Sequence, residues 1–175
     1  MAVRGRLKQG IRALVAFTQA TDNALVDAYL SPAQADLFRR MSHAEQLHSI
    51  NVLRDVLAQE AATPHDLAVA ALLHDCGKAR YRLAVWQKSL AVIVRKVAPR
   101  HYRRWSADDG RRSYWRRAFV VGAQHPRWGG EMARTAGASD RAVWLIAHHA
   151  DDLTDHADHP HADLLRRLKQ ADDAH

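Results

Sequence analysis

Residues 67–81 read LAVAALLHDCGKARY, and this stretch decides the fold. Seven apolar residues run without a break into His74 and Asp75, a pattern typical of a buried helix that ends at two polar side chains. Adjacent residues point to different faces inside a helix, but at a helix terminus both side chains can turn towards one ion. Such mixed nitrogen and oxygen ligation suits Mn, Fe, Zn, Co or Mg. Gly77 is expected to terminate the helix.

The rest of the chain also predicts an all-α fold, because helical spacing of apolar residues recurs and strand alternation does not. Thr63-Pro64 is expected to cap the helix that runs to His74, as Ser31-Pro32 caps an earlier one. A loop is expected over residues 101–115. The other expected helices span residues 3–18, 22–30, 32–41, 43–61, 83–98, 116–124, 126–136, 139–149 and 161–174.

Length and composition favour one domain, since 175 residues with 47% hydrophobic content suffice for a substantial core. The single cysteine, Cys76, excludes an intramolecular disulfide, fits a reducing compartment and is expected to be a small packed residue. We see no secretory signal and no apolar run long enough to span a membrane. The sequence therefore predicts a cytoplasmic protein, and it leaves the oligomeric state open.

Positive charge is concentrated in residues 78–117, where 13 Lys/Arg stand against two Asp, for a net +11. This basic segment also holds Trp86, Trp105 and Trp115. It predicts contact with a phosphorylated substrate, nucleic acid or the surface of an anionic membrane, or else a solvated helix face. Within it, residues 83–98 are amphipathic; we expect a buried core helix, with a flap over the site or a membrane-bound helix as alternatives.

Five segments together resemble the HD-domain metal-dependent phosphohydrolase superfamily. They read LHSINVLRDVLA (47–58), LAVAALLHDCGKARY (67–81), QHPRWGGEMA (124–133), WLIAHH (144–149) and LLRRLKQADDAH (164–175). The resemblance covers residues 43–175 and implies an HD-type helical bundle. Residues 1–42 lie outside it and are expected to form an N-terminal helical extension packed on that core.

The resemblance implies a metal site made by His48, His74, Asp75 and Asp172. Because His48, His74 and Asp172 are far apart in sequence, only a bundle that brings three helices together can make them converge. A second ion would be held by His125 with His148 or His149, while Asp75 bridges. Either histidine of that pair keeps register with inward apolar residues, so the sequence does not choose between them. One or two divalent ions (Mn, Fe, Co, Ni, Zn or Mg) are therefore expected.

The resemblance also suggests how a phosphate would bind. Lys78 matches the lysine of the family's HDxGK segment, and Arg80 and Arg82 are further candidates to hold substrate phosphate. Asp75 and Lys78 are the expected catalytic residues. The histidines of DHADHPHAD, residues 155–163, are expected to form a polar connection, with adventitious metal binding as the alternative.

The expected function is hydrolysis of a phosphate ester or anhydride by metal-activated water. A nucleotide or dinucleotide is the expected substrate. ADDLTD follows IAHH in place of a GYP motif, and no ED pair follows His74-Asp75, which disfavours the cyclic-dinucleotide and alarmone classes. Two alternatives are a non-catalytic HD scaffold whose basic segment binds nucleic acid, membrane or a protein, and an oxygenase-type HD protein with a diiron site.

Overall fold

The structure, a computed structural model, describes residues 20–60, 62–81, 83–107 and 114–175, without the side chains of residues 85 and 88. Within these ranges the chain is built from α-helices and short 3₁₀ segments, with no β-strand, which confirms the all-α class. The helices are α1 (Asn23–Tyr29), α2 (Pro32–Arg39), α3 (His43–Gln59), α4 (His65–Leu73), α5 (Val85–Val97), α6 (Pro99–Ser106), α7 (Arg117–Thr135), α8 (Asp140–His148) and α9 (Ala162–Asp173). The 3₁₀ segments are Cys76–Arg80, Tyr114–Arg116 and Leu153–His156. The helix expected over residues 3–18 lies outside the described residues.

Serine side chains fix the starts of several helices. The Ser31 hydroxyl accepts from the Gln34 amide, while the Gln34 side chain accepts from the Ser31 amide. Ser42 and Glu45 repeat this reciprocal pair at the start of α3. Such pairs satisfy amides that have no partner inside the helix and contribute about 1 kcal/mol each. The predicted starts of α2 and α3 are therefore confirmed.

Helix α4 is the centre of the main core. Every residue from Leu67 to Leu73 is buried, and the helix contacts α1, α2, α3, α8 and α9. Residues 20–42 join this core through Val26, Phe38 and Met41. Burial on all sides explains why α4 has no polar face, and each fully buried leucine contributes roughly 2 kcal/mol. The polar residues that follow α4 are thus held at the middle of the bundle.

Helix α7 corrects the prediction of two helices, 116–124 and 126–136, separated at His125. It continues through Pro126 as one helix of 19 residues. Proline has no amide hydrogen, so the carbonyl four residues earlier, that of Gly122, loses its helical partner. The ring of His125 replaces that partner, with its Nδ1 3.2 Å from the Gly122 oxygen. Pro126 does remove one hydrogen bond from the helix, but the side chain of His125 supplies a replacement and the helix continues.

Helices α5 and α6 form a layer on the N-terminal half of α7 and correct two further expectations. Residues 99–106, expected to lie mostly in a loop, form α6, whose Tyr102 and Trp105 pack on Phe119. The expected helix over residues 83–98 is present as α5, but most of its apolar face, which we expected to be buried, is exposed. No helix among the described residues is both long and apolar enough to cross a membrane.

The buried side of α5 is partly polar, which accounts for its orientation. Gln87 is almost fully buried, and its side chain accepts from the Ala84 amide and donates to the Tyr114 carbonyl. A buried amide is tolerated when both of its ends have partners. Ala91, on the same side, permits close approach to α7. Small and satisfied residues thus face inwards, and the large apolar ones face outwards.

Gly77 has a different role from the predicted helix terminator. Helix α4 already ends at Leu73, and Gly77 has no positive φ. Instead, the backbone of Gly77 lies against α7 so closely that an added Cβ would stand 2.0 Å from the His125 carbonyl oxygen. Only glycine permits this approach. The contact brings the turn after α4 next to the histidine of α7.

The first prediction follows from that contact. Gly77→Ala should lower the free energy of unfolding by about 3 kcal/mol or more, because the Cβ meets backbone atoms that cannot rotate away. Gly137→Ala is the matched control: Gly137 has φ 78° and open space around it, so the change should cost only about 1 kcal/mol. Urea unfolding followed by circular dichroism measures both. Equal effects would contradict the close contact between the turn and α7.

Candidate metal centre

Six side chains from five regions of the chain converge beside the end of α4. His74 and Asp75 follow α4 directly, His48 lies on α3, His125 on α7, His149 just after α8 and Asp172 on α9. His74, Asp75, His125 and His149 are buried, while His48 and Asp172 are partly exposed at one side. The rings of His48, His74, His149 and His125 contact each other in that order, with centroids 5.1–5.3 Å apart. The bundle thus gathers the predicted residues, apart from His148, into one continuous group.

The first half of the group is built around His74. Its Nε2 lies 3.6 Å from Asp75 Oδ2 and 3.6 Å from Asp172 Oδ1, and Asp172 Oδ1 is 2.8 Å from His48 Nε2. A separation of 3.6 Å is too long for a hydrogen bond. The buried Nε2 of His74 therefore has no hydrogen-bond partner, although two carboxylates face it. Unpartnered buried nitrogens are rare and indicate a site for a proton or a cation.

The second half of the group is built around the other oxygen of Asp75. Asp75 Oδ1 lies 3.5 Å from His125 Nε2 and 3.9 Å from His149 Nε2, and these two nitrogens are 3.3 Å apart. Asp75 is therefore shared, with one oxygen directed to each half. This is the arrangement expected of a bridging carboxylate.

Backbone carbonyls fix the orientation of all three buried rings. The Nδ1 atoms of His74, His125 and His149 donate to the carbonyls of Ala71, Val121 and Ile146, at 3.0, 3.0 and 2.8 Å. A carbonyl can only accept, so each Nδ1 carries the hydrogen and each neutral ring presents a lone pair at Nε2. Such outer hydrogen bonds are typical of histidines that ligate metals.

When both rings are neutral, the lone pairs of His125 and His149 face each other across 3.3 Å. Neither nitrogen then has a hydrogen to offer the other, so the contact is repulsive unless a cation or a proton lies near both. Burial, and then the charges that His74 and His125 carry when protonated, lower the pKa of His149 to about 3. His149 is thus neutral at neutral pH, which is the form that binds metal.

Asp75 remains ionised despite its burial. Desolvation raises the pKa of its carboxyl, but the neighbouring His74, His125 and Lys78 outweigh this and hold it well below its usual range. Lys78 is the closest cation, with Nζ 2.6 Å from Asp75 Oδ2. An ionised, buried carboxylate beside three histidine rings supplies the negative charge that a divalent ion requires.

Two groups of buried or partly buried side chains could each hold a metal ion. One consists of His48, His74 and Asp75, the other of Asp75, His125 and His149, and within each the ligand atoms lie within 4.8 Å of one another. Asp172 faces the first group through His48 and His74. The donor atoms are imidazole nitrogens and carboxylate oxygens, a set that suits Mn, Fe, Co, Ni or Zn. The unpartnered His74 Nε2 fits such an ion.

A cavity of about 460 Å³ opens onto this group. His48, Asp75, His125 and Lys78 line its inner end. Its other walls are mostly apolar and come from the start of α3, from Leu83 and from α5, α6 and α7. They consist of Ser42, Ala44, Glu45, Leu83, Ala91, Val92, Arg95, Tyr102, Ala118, Val121 and Gly122. Candidate metal ligands, an ammonium group and a mostly apolar chamber thus meet in one space.

The structure places His148 away from Asp75, although it is adjacent to His149. Its ring stacks on Trp144 at 4.6 Å, and its Nδ1 donates to the Trp144 carbonyl. His148 instead joins Asp151 and His156 in a third, more exposed group of candidate ligands. The backbone is still helical at His149, so the two side chains lie about 100° apart around the axis of α8 and point to different sides of the bundle.

The predicted phosphate-binding cations also differ in whether they lie at the cavity. Arg80 stacks on Trp128, 4.6 Å from the ring centroid, and is absent from the described cavity wall. Arg82 lies outside the described residues. Among the three predicted phosphate-binding residues, the structure therefore places only Lys78 at the cavity.

Sequence reasoning missed Arg95 and Tyr102 as residues of the site. Both line the cavity, and a Cβ on Gly122 would stand 2.5 Å from the Tyr102 hydroxyl. Tyr102 and Trp105, three residues apart, pack on the same ring of α7. That spacing is the signal by which the short helix, and with it Tyr102, could have been found.

The pair His148-His149 gives the second prediction. His149→Ala should weaken binding of Mn²⁺ or Fe²⁺ at least about a hundredfold, since even the loss of an outer hydrogen-bond partner costs tenfold or more. His148→Ala removes the adjacent imidazole and should leave the tightly bound metal in place. Metal content of the purified variants, measured by mass spectrometry, and titration calorimetry test this. Equal metal loss from both variants would contradict the assignment of His149.

Cys76 gives the third prediction. Its thiol is fully buried 3.5 Å from the Gly129 carbonyl, and burial, with the charge of Asp75, raises its pKa to about 12. The thiol is therefore uncharged at pH 8, and only the thiolate reacts. Iodoacetamide should fail to label the native protein at pH 8 and should label it in urea, as read by mass spectrometry. Rapid labelling of the native protein would show that the turn after α4 is open.

Comparisons with known proteins leave the family of this chain undetermined. No family model, no curated protein and no solved structure matches it. The resemblance to HD-domain proteins therefore rests on the motifs quoted above, and any function must be argued from the geometry of the site.

Proposed function

We propose that this protein is a metal-dependent phosphohydrolase that cleaves a phosphate ester or anhydride. The observation that carries the proposal is the position of Asp75. Its two oxygens face two sets of histidine nitrogens, and the same carboxylate lines a cavity that also holds Lys78. A divalent ion held here would supply Lewis-acid chemistry, activating water as a nucleophile and offsetting charge on the phosphoryl oxygens.

Each residue of the chain has a distinct role in this proposal. Asp75 is the shared ligand, and its lowered pKa keeps it ionised and unsuited to donate a proton. His48, His74 and Asp172 complete one half of the site, and His125 and His149 the other. Lys78, an ammonium group on the cavity wall, is positioned to donate hydrogen bonds to a phosphate oxygen.

The cavity supports a substrate with an organic group beyond the phosphate. Its volume of about 460 Å³ lies within the range of small-molecule sites. Tyr102 offers an aromatic ring and Arg95 a second cation, on walls that are mostly apolar but also include Ser42 and Glu45. A base or sugar can contact these walls while the phosphate meets Lys78. We therefore propose a nucleotide or dinucleotide as the substrate.

The fourth prediction concerns activity. With Mn²⁺ present, purified protein should release phosphate from a model ester such as p-nitrophenyl phosphate or from a nucleotide panel. Asp75→Asn keeps the shape of the side chain but removes its charge, and should lower kcat/KM at least about a thousandfold. Lys78→Gln should lower kcat/KM about tenfold to a hundredfold, because a hydrogen bond to a charged group is lost.

Arg80→Gln is the matched control for Lys78→Gln, since it removes a cation two residues away that stacks on Trp128. It should lower kcat/KM far less than Lys78→Gln does. Hydrolysis that survives in pure Asp75→Asn protein would contradict the mechanism. Metal binding by the wild type without turnover of any phosphate ester would favour a non-catalytic scaffold, and an iron-dependent optical spectrum would favour the oxygenase alternative.

A further inference from the structure

Helix α5 carries an apolar stripe that faces away from the protein. Trp86, Leu90, Ile93 and Val97 follow each other at intervals of four, three and four residues, so they share one face. Their exposed fractions are 55, 38, 58 and 79%. Single exposed apolar residues are common on proteins, but a stripe over three helical turns indicates a surface that binds something apolar.

Helices α5 and α6 carry positively charged residues and no negatively charged ones. Residues 83–107, which contain α5 and α6, have six Lys/Arg and no Asp or Glu. Lys96, Arg100, Arg103 and Arg104 are exposed. None of these four forms an ion pair with the described part of the chain. A partner of this surface must therefore be both apolar and negatively charged.

We propose that α5 and α6 form an interfacial surface that binds an anionic lipid bilayer. An apolar stripe with a tryptophan, flanked by cations, is the pattern of helices that lie in the headgroup region of membranes. The stripe enters the boundary between headgroups and acyl chains, and the cations contact anionic headgroups. This inference goes beyond the proposed function and does not depend on it.

Three other occupants fit the observations less well. A second copy would place two faces without acidic residues against each other, at a cost in like-charge repulsion. Residues 1–19 contain four Lys/Arg and no acidic residue, so they carry the same charge as the surface. Nucleic acid would satisfy the cations, but its phosphate backbone offers nothing to Ile93 and Val97.

The helix also relates the surface to the cavity. Ala91, Val92 and Arg95 line the cavity, and their positions lie on the other side of α5 from the stripe. One helix thus has a face for the cavity and a face for the bilayer. Substitutions on the stripe can therefore be tested without changing the cavity wall or the metal ligands.

The test uses the full-length protein and two kinds of vesicle. Wild type should sediment with vesicles made of equal parts phosphatidylcholine and phosphatidylglycerol, and should stay in solution with phosphatidylcholine alone. High salt should weaken the binding, because surface charges are screened. The double variant Ile93→Gln and Val97→Gln should lower the partition coefficient at least about tenfold, because apolar area is lost.

A second pair of variants tests the contribution of charge. Lys96→Gln with Arg100→Gln should lower partitioning about fivefold for each cation removed. The matched control, Arg134→Gln with Arg166→Gln, removes two exposed cations from α7 and α9 and should leave partitioning nearly unchanged. All variants should keep the helical circular dichroism and the metal content of the wild type.

The fluorescence of Trp86 shows whether the stripe is covered. The difference between the emission spectra of wild type and Trp86→Phe should be that of an exposed indole in buffer, and it should shift to the blue with anionic vesicles. Wild type that fails to bind these vesicles overturns the proposal, as does binding that survives in Ile93→Gln with Val97→Gln. A buried Trp86 signal in buffer, or a dimer that the double variant dissociates, would assign the stripe to another segment or to a second copy.

Discussion

The structure depends on keeping one carboxylate charged in the interior of a helical bundle. Asp75 is 3% exposed, and removing a carboxylate from water costs several kcal/mol unless other groups compensate. Compensation comes from Lys78 on the same turn and from His74 and His125. These residues belong to two different parts of the bundle, so the end of α4 and helix α7 must meet at this point. The glycine contact of Gly77 with α7 allows them to do so.

The three buried histidines are oriented in the same way, by hydrogen bonds to backbone carbonyls near helix ends or beside a proline. The last carbonyls of a helix have no partner within it. His74 and His149 use this by donating to the carbonyls of Ala71 and Ile146, at the ends of α4 and α8. His125 lies inside α7, where Pro126 frees the Gly122 carbonyl, and its Nδ1 contacts the oxygens of both Gly122 and Val121. Each ring is thereby held with its Nε2 towards Asp75.

Interactions between residues close in the sequence allowed part of the fold to be predicted. The starts of α2 and α3 follow from Ser31 and Ser42, because capping involves only the next three residues. The choice between His148 and His149 was not predictable, since it depends on where α8 ends relative to its neighbours. The continuity of α7 through Pro126 was missed because a side chain supplies the replacement hydrogen bond. The helical spacing of apolar residues predicted an apolar face on α5. It did not indicate that α7 would pack against the face that contains Gln87.

The two layers of the molecule differ in how firmly they are held. The buried candidate ligands lie beside the main cluster around α4, in which residues 67–73 are enclosed on all sides. The α5–α6 layer is held to α7 by a small cluster centred on Ala91, Ala118 and Phe119. Because local opening costs free energy in proportion to the apolar contacts broken, this layer can move at a lower cost than the core. Since Val92 and Tyr102 form one wall of the cavity, a contact that moves α5 would change access to Asp75 while leaving its ligand geometry intact.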